Sequence, residues 1–243
     1  MSSIILNDSS SEIFTGSQGG LIQIFDMNSS KNKFNFQGHG TVCSVLNLVN
    51  SNSSPHMLAS GAIDGKIKIW DIRSKANIGN GIKGHMAEIK TLCLSPDCNY
   101  LLSGADDKVC KVWDLRMSKT ITEITEKSQG VITASEFSPT RKAFVFGSTD
   151  KTIKYWDMDE NDLVNKNGLI FLQIFQTNFD RLPSLKLKFD ANNNILFSAT
   201  DGALKLFEIV DERLTLVDMI ETGWTKFQDM FVSENDYVSG KLK

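Results

Sequence analysis

The stretch LLSGADDKVCKVWDLR, residues 101–116, contains two short apolar segments separated by a tight turn at Asp107. In the second segment, apolar and polar side chains alternate up to the pair Trp113-Asp114. A period of two places alternate side chains on opposite faces of a strand, so one face of this segment is expected to be buried. The stretch therefore predicts two antiparallel strands joined by an aspartate turn.

The same unit recurs along nearly the whole chain. Its last strand ends in an aromatic-acidic pair in LIQIFD (21–26), KIKIWD (66–71), VCKVWD (109–114), TIKYWD (152–157) and ALKLFE (203–208). Consecutive aromatic positions are 45, 43, 43 and 51 residues apart, close to the ~40–45 residues of one four-stranded propeller blade. An aspartate stands six residues before each of the last four aromatics, at Asp64, Asp107, Asp150 and Asp201. The chain is therefore predicted to be built from repeated four-stranded units.

Two of these units are preceded by a Gly-His pair, Gly38-His39 and Gly84-His85. Gly-His, then S-G-x-x-D, then x-I-K-I-W-D resembles the WD-repeat family. The resemblance implies an all-β fold, a WD-repeat β-propeller, in a single domain over residues 1–243. The expected blades are about 1–37, 41–83, 88–127, 131–176 and 185–220, with part of a sixth at 224–240. Because no further strand is available to complete the sixth blade, we expect a fragment of a larger propeller.

A hydrolase is the first alternative to consider. His85, Ser103 and Asp107 have the composition of an acyl-transfer triad. The same residue types occupy the same relative positions one unit earlier, at His39, Ser60 and Asp64. A catalytic site has no reason to be duplicated in consecutive blades, so we predict that these residues are not catalytic.

The WD-repeat resemblance gives these residues a structural role instead. It implies a chain of hydrogen bonds in which the aspartate accepts from the histidine, the histidine meets the serine, and the serine hydroxyl meets the indole N–H. Each side chain has suitable donors and acceptors for this. The predicted network residues are His39, Ser60, Asp64 and Trp70 in the second blade, His85, Ser103, Asp107 and Trp113 in the third, and Asp150 and Trp156 in the fourth.

Composition narrows the function further. The formal net charge is −3, so the surface has no extended positive potential that would attract nucleic acid or an anionic membrane. We therefore expect neither as a partner. The longest apolar stretches have six residues or fewer, far below the ~20 needed to cross a bilayer. The four cysteines show no CxxC spacing, and no G-x-x-x-x-G-K-[ST] loop is present. We therefore predict buried, reduced thiols, no metal, no cofactor and a location in the cytosol or nucleus.

A finer resemblance concerns the kind of WD-repeat protein. The runs GSQGGLIQIFD, WDIR and WDLR resemble the regulatory, non-catalytic subunit family of katanin, the microtubule-severing complex. The tail GWTKFQDMFVSENDYVSG, with Trp224 before two short strands, is similar as well. The resemblance implies a targeting scaffold whose partners are microtubules and the katanin catalytic subunit, located in the cytoplasm on the cytoskeleton at a microtubule-organising centre or basal body. The helical region that binds the catalytic subunit in that family is absent here.

A second hypothesis rests on residues 101–116 and on the related run ending at Arg73. Both runs resemble the box by which some WD-repeat proteins dock onto the adaptor of a cullin-type ubiquitin ligase. Arg73 and Arg116 are then the candidate partner contacts of a substrate receptor. The simpler interpretation is that each arginine pairs on the blade surface, where an ion pair contributes at most about 1 kcal/mol. Another WD-repeat scaffold remains a third possibility.

Overall fold

The structure is a computed structural model, and it describes residues 3–6, 11–49, 57–78, 82–125, 130–140, 142–158, 170–176, 186–190, 195–210, 213–222, 227–232 and 238–242. These residues form antiparallel strands and turns, and none of them forms a helix. No helix long and apolar enough to span a membrane therefore occurs in this part of the chain. The prediction of an all-β chain is confirmed.

The chain divides into two compact units. Unit 1, Met1–Ile124, contains sheets 1 to 3. Their strands are β1 (Ser3–Leu6), β2 (Glu12–Gly16), β3 (Leu21–Asp26) and β4 (Lys31–Gln37); β5 (Cys43–Val49), β6 (Met57–Ala62), β7 (Lys66–Asp71), β8 (Ala76–Asn77) and β9 (Ile82–Lys83); β10 (Ile89–Leu94), β11 (Tyr100–Ala105), β12 (Cys110–Asp114) and β13 (Lys119–Ile124). In sheet 2 the fourth strand consists of two pieces, β8 and β9, which both pair with β7.

Unit 2, Thr125–Lys243, contains sheets 4 to 6. Sheets 4 and 5 have four strands each, and sheet 6 has two in the described residues. The strands are β14 (Ile132–Phe137), β15 (Ala143–Ser148), β16 (Thr152–Asp157) and β17 (Ile170–Gln176); β18 (Lys186–Phe189), β19 (Ile195–Thr200), β20 (Ala203–Val210) and β21 (Arg213–Glu221); β22 (Phe227–Val232) and β23 (Val238–Leu242). The expected single domain and its blade boundaries stay predictions, and Trp224 lies outside the described residues.

Strand register is the same in each four-stranded sheet. The aromatic residue of the third strand pairs with an apolar residue of the second, as in Leu101 with Trp113. Beside this aromatic, the fourth strand contains one extra residue, a β-bulge. The bulged residues are Lys33 in sheet 1, Ile121 in sheet 3, Leu172 in sheet 4 and Val217 in sheet 5. A bulge increases local twist and bends the strand that carries it.

The core lies between consecutive sheets within each unit. We call the side of a sheet that carries the third-strand aromatic its aromatic face, and the opposite side its receiving face. Phe14, Ile22, Ile24 and Phe36 on the receiving face of sheet 1 pack against the aromatic face of sheet 2. The same type of contact joins sheet 2 to sheet 3, and sheet 4 to sheet 5. Both faces are buried in second strands such as β6, β11 and β15, whereas fourth strands such as β4 and β13 keep several side chains exposed.

All four cysteines lie in unit 1 as buried thiols. They are Cys43, Cys93, Cys98 and Cys110, and none forms a disulfide. Their burial agrees with the prediction from the apolar runs that surround them.

Candidate functional site: polar networks beneath a loop face

Sheet 3 contains a complete polar network. The Trp113 Nε1–H donates to Ser103 Oγ at 2.8 Å, and His85 Nε2 lies 2.8 Å from the same oxygen. His85 Nδ1 lies 2.9 Å from Asp107 Oδ2. Asp107 also accepts backbone N–H groups from Met86 and Val109, at 3.0 and 3.1 Å. The structure thus brings together the four residues that the sequence assigned to this blade.

The turn of the preceding sheet helps to hold this network in place. The N–H of His85 donates to the carbonyl of Gly65 at 3.0 Å. Gly65 has a φ of 74°, and a Cβ there would lie 2.2 Å from the His85 carbonyl oxygen. Only glycine fits both conditions, since other residues are strained at positive φ and would clash. This explains the glycine in the IDGK turn and connects the loops of sheets 2 and 3.

Burial keeps His85 neutral. Loss of solvent lowers the pKa of His85, and the nearby Asp107 carboxylate opposes that shift. A neutral ring can donate from Nδ1 to Asp107 and accept at Nε2 from Ser103, which leaves the Ser103 oxygen to accept from Trp113. Every donor then has one acceptor. A fully satisfied buried network fixes one geometry for the residues that form it.

The network in sheet 2 is shorter than the sequence predicted. Trp70 Nε1–H donates to Ser60 Oγ at 2.8 Å, and His39 Nε2 lies 2.8 Å from that oxygen. The expected contact between Asp64 and His39 is not formed: Asp64 instead accepts the Lys66 N–H at 3.1 Å and its ammonium group at 3.2 Å. His39 Nδ1 is buried and has no hydrogen-bond partner in the described residues. Burial and the charge of Lys68 lower the pKa of His39 to about 4.

Sheets 4 and 5 use other contacts at the same positions. Asp150 accepts the N–H and hydroxyl of Thr152, at 3.0 and 2.6 Å, and so stabilises its turn. Trp156 stacks on Phe144 with ring centroids 6.4 Å apart.

In sheet 5 the buried Ser198 occupies the serine position. It pairs with Lys205, as Ser103 pairs with Lys111 in sheet 3. Ser198 was not predicted from the sequence, because the turn that follows it is one residue shorter than the turn that follows Ser103.

This arrangement does not provide a hydrolytic site. Ser103 Oγ is fully buried and contacts both an indole N–H and an imidazole, so a substrate carbonyl has no approach to it. In the part of the chain that the structure describes, no three His, Cys, Asp or Glu side chains come together in a way that would hold a metal ion. The histidine, serine and aspartate of sheet 3 therefore stabilise the fold.

Above the networks, the loops of sheets 2 and 3 form an exposed surface, which we call the loop face. Met86 is 90% exposed, and Ile63 is exposed in the neighbouring turn. Their loops are joined by the His85–Gly65 hydrogen bond. Charged residues of both signs surround them: Asp64, Glu88, Asp106 and Asp107, of which the first three pair with Lys66 or Lys90. Met86 directly follows the network residue His85, and Ile63 directly precedes the turn residue Asp64, but neither was predicted from the sequence.

The two candidate partner contacts, Arg73 and Arg116, differ in how firmly they are held. Arg116 donates to Asp114 through Nη2 at 2.8 Å and to the Tyr100 hydroxyl at 3.2 Å. This pairing lowers the pKa of Asp114. Arg73 is 69% exposed, and its closest approach to Asp71 is 3.8 Å. Arg73 is therefore the arginine whose side chain is more available to a partner.

The fold resembles that of a solved structure. A chain in the structure titled "Crystal Structure of Mitotic Checkpoint Complex" superposes with a TM-score of 0.84 at 21% sequence identity. The match covers 98% of this chain and 72% of that chain. At this identity the likeness concerns the fold alone. Together with the repeated four-stranded sheets, it defines the class of the protein as a WD-repeat β-propeller, as the sequence predicted.

Residues 2–176 match the sequence model of the family described as "Nucleolar protein 10-like, N-terminal domain", a β-propeller domain. The match covers more than half of the chain and spans sheets 1 to 4. The chain belongs to this family. No curated protein matches it significantly. The comparisons do not support the finer resemblance to the katanin regulatory subunit.

Proposed function

We propose that the chain is a non-catalytic protein-binding platform in a nucleolar assembly, and that it binds partners through the loop face. The observation that carries this proposal is the exposed apolar pair Met86 and Ile63 within a rim of charged residues. An apolar centre surrounded by charged groups is typical of protein interfaces, and methionine adapts readily to different partner surfaces. The nucleolar part of the proposal rests on the name of the family.

The buried network supports this function by limiting the motion of the loops. Asp107 accepts the N–H of Met86, while His85 connects that aspartate to Ser103 and Trp113 inside the sheet. A preorganised surface loses less conformational entropy when a partner binds. The polar residues that resemble a triad thus serve to position a binding surface.

Met86→Asp is expected to reduce recovery of the partners at least about 10-fold, since it places a charge at the apolar centre of the loop face. Met117→Asp is the matched control. Met117 is also an exposed methionine, but it follows the C-terminal end of β12, whereas the loop face adjoins the turn that precedes this strand. The tagged full chain and both variants would be purified from the source cells, and co-purifying proteins quantified by mass spectrometry. Equal recovery with both variants would exclude the loop face as the binding site.

Imaging of the tagged chain tests the location. Nucleolar signal is expected, and exclusion from the nucleus would refute that part of the proposal. The katanin role implied by the sequence resemblance is the competing hypothesis, with a cytoplasmic, cytoskeletal location. It requires that the purified chain sediment with taxol-stabilised microtubules, and failure to sediment would remove it.

A second candidate function, substrate receptor of a cullin-type ligase, is favoured by the availability of Arg73. For this function we expect Arg73→Glu to reduce co-purification of the ligase adaptor about 10-fold or more, through loss of an interface cation and introduction of a like charge. Lys66→Glu is the control, because it reverses a similarly exposed charge at the other end of β7. Absence of the adaptor from the wild-type purification would exclude this function.

A further inference from the structure

Two lysines lie directly opposite each other on neighbouring strands of sheet 2. Lys66, the first residue of β7, pairs with Lys83, the last residue of β9. Residues paired in this way point to the same face of a sheet, with their Cβ atoms about 5 Å apart. Both side chains are exposed. We call these two residues the lysine pair. Like charges directly opposite each other destabilise a sheet, so the lysine pair favours the binding of an anion.

In the described residues, no other sheet has two cations at this position. The equivalent pairs also begin four residues before the aromatic residue of the third strand. They are Leu21 with Gln37 in sheet 1, Thr152 with Gln176 in sheet 4, and Ala203 with Glu221 in sheet 5. In sheet 3 the residue equivalent to Lys66 is the apolar Val109. The lysine pair is therefore a feature of sheet 2 and not of the repeat.

The charge of the lysine pair is only partly balanced within the part of the chain that the structure describes. Asp64 Oδ2 lies 3.2 Å from the Lys66 ammonium group, and the Lys83 ammonium group has no ion-pair partner there. Lys68, the next lysine on the same face of β7, donates to the carbonyl oxygen of Gly38 and is therefore already bonded. The two ammonium groups thus outnumber the carboxylate beside them.

A second feature beside the lysine pair is a buried nitrogen of His39. The residue is 6% exposed, and its Nδ1 has no hydrogen-bond partner among the described residues. Burial lowers the pKa of His39, and the Asp64 carboxylate is close enough to oppose part of that shift. In sheet 3 the equivalent aspartate, Asp107, lies 2.9 Å from His85 Nδ1. Asp64 therefore has two alternative partners, the ammonium group of Lys66 and the Nδ1 of His39.

We propose that the lysine pair binds the phosphate group of a phosphoserine or phosphothreonine on a partner protein, and that this binding transfers Asp64 from Lys66 to His39. The bound phosphate contacts both ammonium groups and repels the Asp64 carboxylate. Asp64 then accepts a hydrogen bond from His39 Nδ1, as Asp107 does from His85, and the polar network of sheet 2 becomes complete.

The charge of the site favours a phosphomonoester over other anions. At neutral pH a phosphomonoester carries a charge of about −1.5 to −2 and three acceptor oxygens, which matches two adjacent ammonium groups. A carboxylate carries a single charge, and Asp64 already provides one. Nucleic acid binds to extended basic surfaces, whereas this chain has a net charge of −3. The site does not involve Met86 or Ile63, so its test is independent of the proposed function.

A small phosphorylated probe tests the site without a partner protein. N-acetyl-O-phosphoserine amide would be titrated into the ¹⁵N-labelled full chain at pH 7.5 and followed by NMR. Saturable shifts of the Lys66 and Lys83 backbone amides are expected, together with a change in the resonance of His39 Nδ1. N-acetyl-aspartate amide and the phosphodiester uridylyl-uridine are expected to bind at least about 5-fold more weakly, because each carries one charge.

Substitutions in the site are expected to act in opposite directions. Lys83→Gln should weaken binding of the phosphoserine probe about 5-fold, whereas Lys119→Gln, at an exposed lysine of sheet 3, should change it by less than about 2-fold. Asp64→Asn should strengthen binding about 3-fold, because Lys66 loses the carboxylate that competes with the phosphate. The asparagine side chain still accepts the Lys66 N–H, so the turn is kept. In this variant the probe should no longer change the resonance of His39 Nδ1.

Each of the other outcomes would overturn the proposal. They are the absence of saturable shifts, equal binding by Lys83→Gln and Lys119→Gln, weaker binding by Asp64→Asn, and a His39 resonance that the probe does not change in the wild type. Equal or tighter binding of uridylyl-uridine would assign the lysine pair to nucleic acid instead of a phosphorylated protein.

Discussion

Trp113→Ala is expected to lower the free energy of unfolding by about 3–5 kcal/mol, the usual range for removing a buried aromatic side chain. Trp113 is buried between sheets 2 and 3, where it packs in a cluster with Ile67, Ile69 and Ile89. The substitution leaves a cavity there and also removes the N–H that Ser103 accepts. Urea unfolding followed by circular dichroism measures the effect.

Two further variants separate packing from hydrogen bonding at this position. Trp113→Phe keeps most of the apolar volume and is expected to cost about 1–2 kcal/mol through the lost hydrogen bond. Sheet 5 already contains this combination, with buried Phe207 beside buried Ser198. Phe25→Ala, at the half-buried equivalent in sheet 1, should cost less than Trp113→Ala because less apolar surface is buried. A larger loss for Phe25→Ala would contradict the packing described for unit 1.

His39 is expected to make the protein less stable in mild acid, by roughly 3 kcal/mol between neutral pH and pH 4. Burial holds the pKa of His39 at about 4 in the folded chain, against 6.5 for a solvated histidine. The unfolded chain therefore binds a proton below pH 6.5 that the folded chain does not bind. The stabilising contribution is complete above pH 6.5 and is lost as the pH falls towards 4.

His39→Gln is the variant that tests this effect. Glutamine can still form a hydrogen bond with Ser60, but it does not titrate. The free energy of unfolding would be measured for both proteins at pH 7.5 and pH 4.5, and the wild type should lose more of it. His85, whose pKa is also lowered by burial, remains in both proteins and cancels from the comparison. Equal losses in both proteins would show that His39 is protonated at little cost.

The repeated strands could be predicted from the sequence because their signal is local. Alternation along KIKIW and VCKVW shows directly which side chains point inward, and the aromatic-acidic pairs set the register of the repeat. Those segments form the third strands of sheets 2 and 3, with Trp70 and Trp113 buried as the pattern requires.

The details of the networks could not be predicted in this way. Asp64 and Asp107 have the same spacing to their tryptophans, yet only Asp107 contacts its histidine. The residue two positions later is Lys66 in one turn and Val109 in the other, and the lysine ammonium competes for the carboxylate. The exposure of Ile220 could not be predicted from the sequence either, because it depends on which strands of a neighbouring sheet cover this side chain.

The bulge in the fourth strand also sets the direction of the side chains that follow it. Before Val217, Leu214 and Leu216 of β21 join the core between sheets 4 and 5; after it, Ile220 pairs with Leu204 on the other side. Because Val217 has no partner on β20, the side chains after it point to the face opposite to the one that an uninterrupted strand would give them. A one-residue change in strand length is normally damaging, since it turns every later side chain to the opposite face. At this position, deletion of Val217 would remove only the unpaired residue: Leu206 would still pair with Asp218 and Leu204 with Ile220, so the bulge would be lost while each later side chain kept its present face.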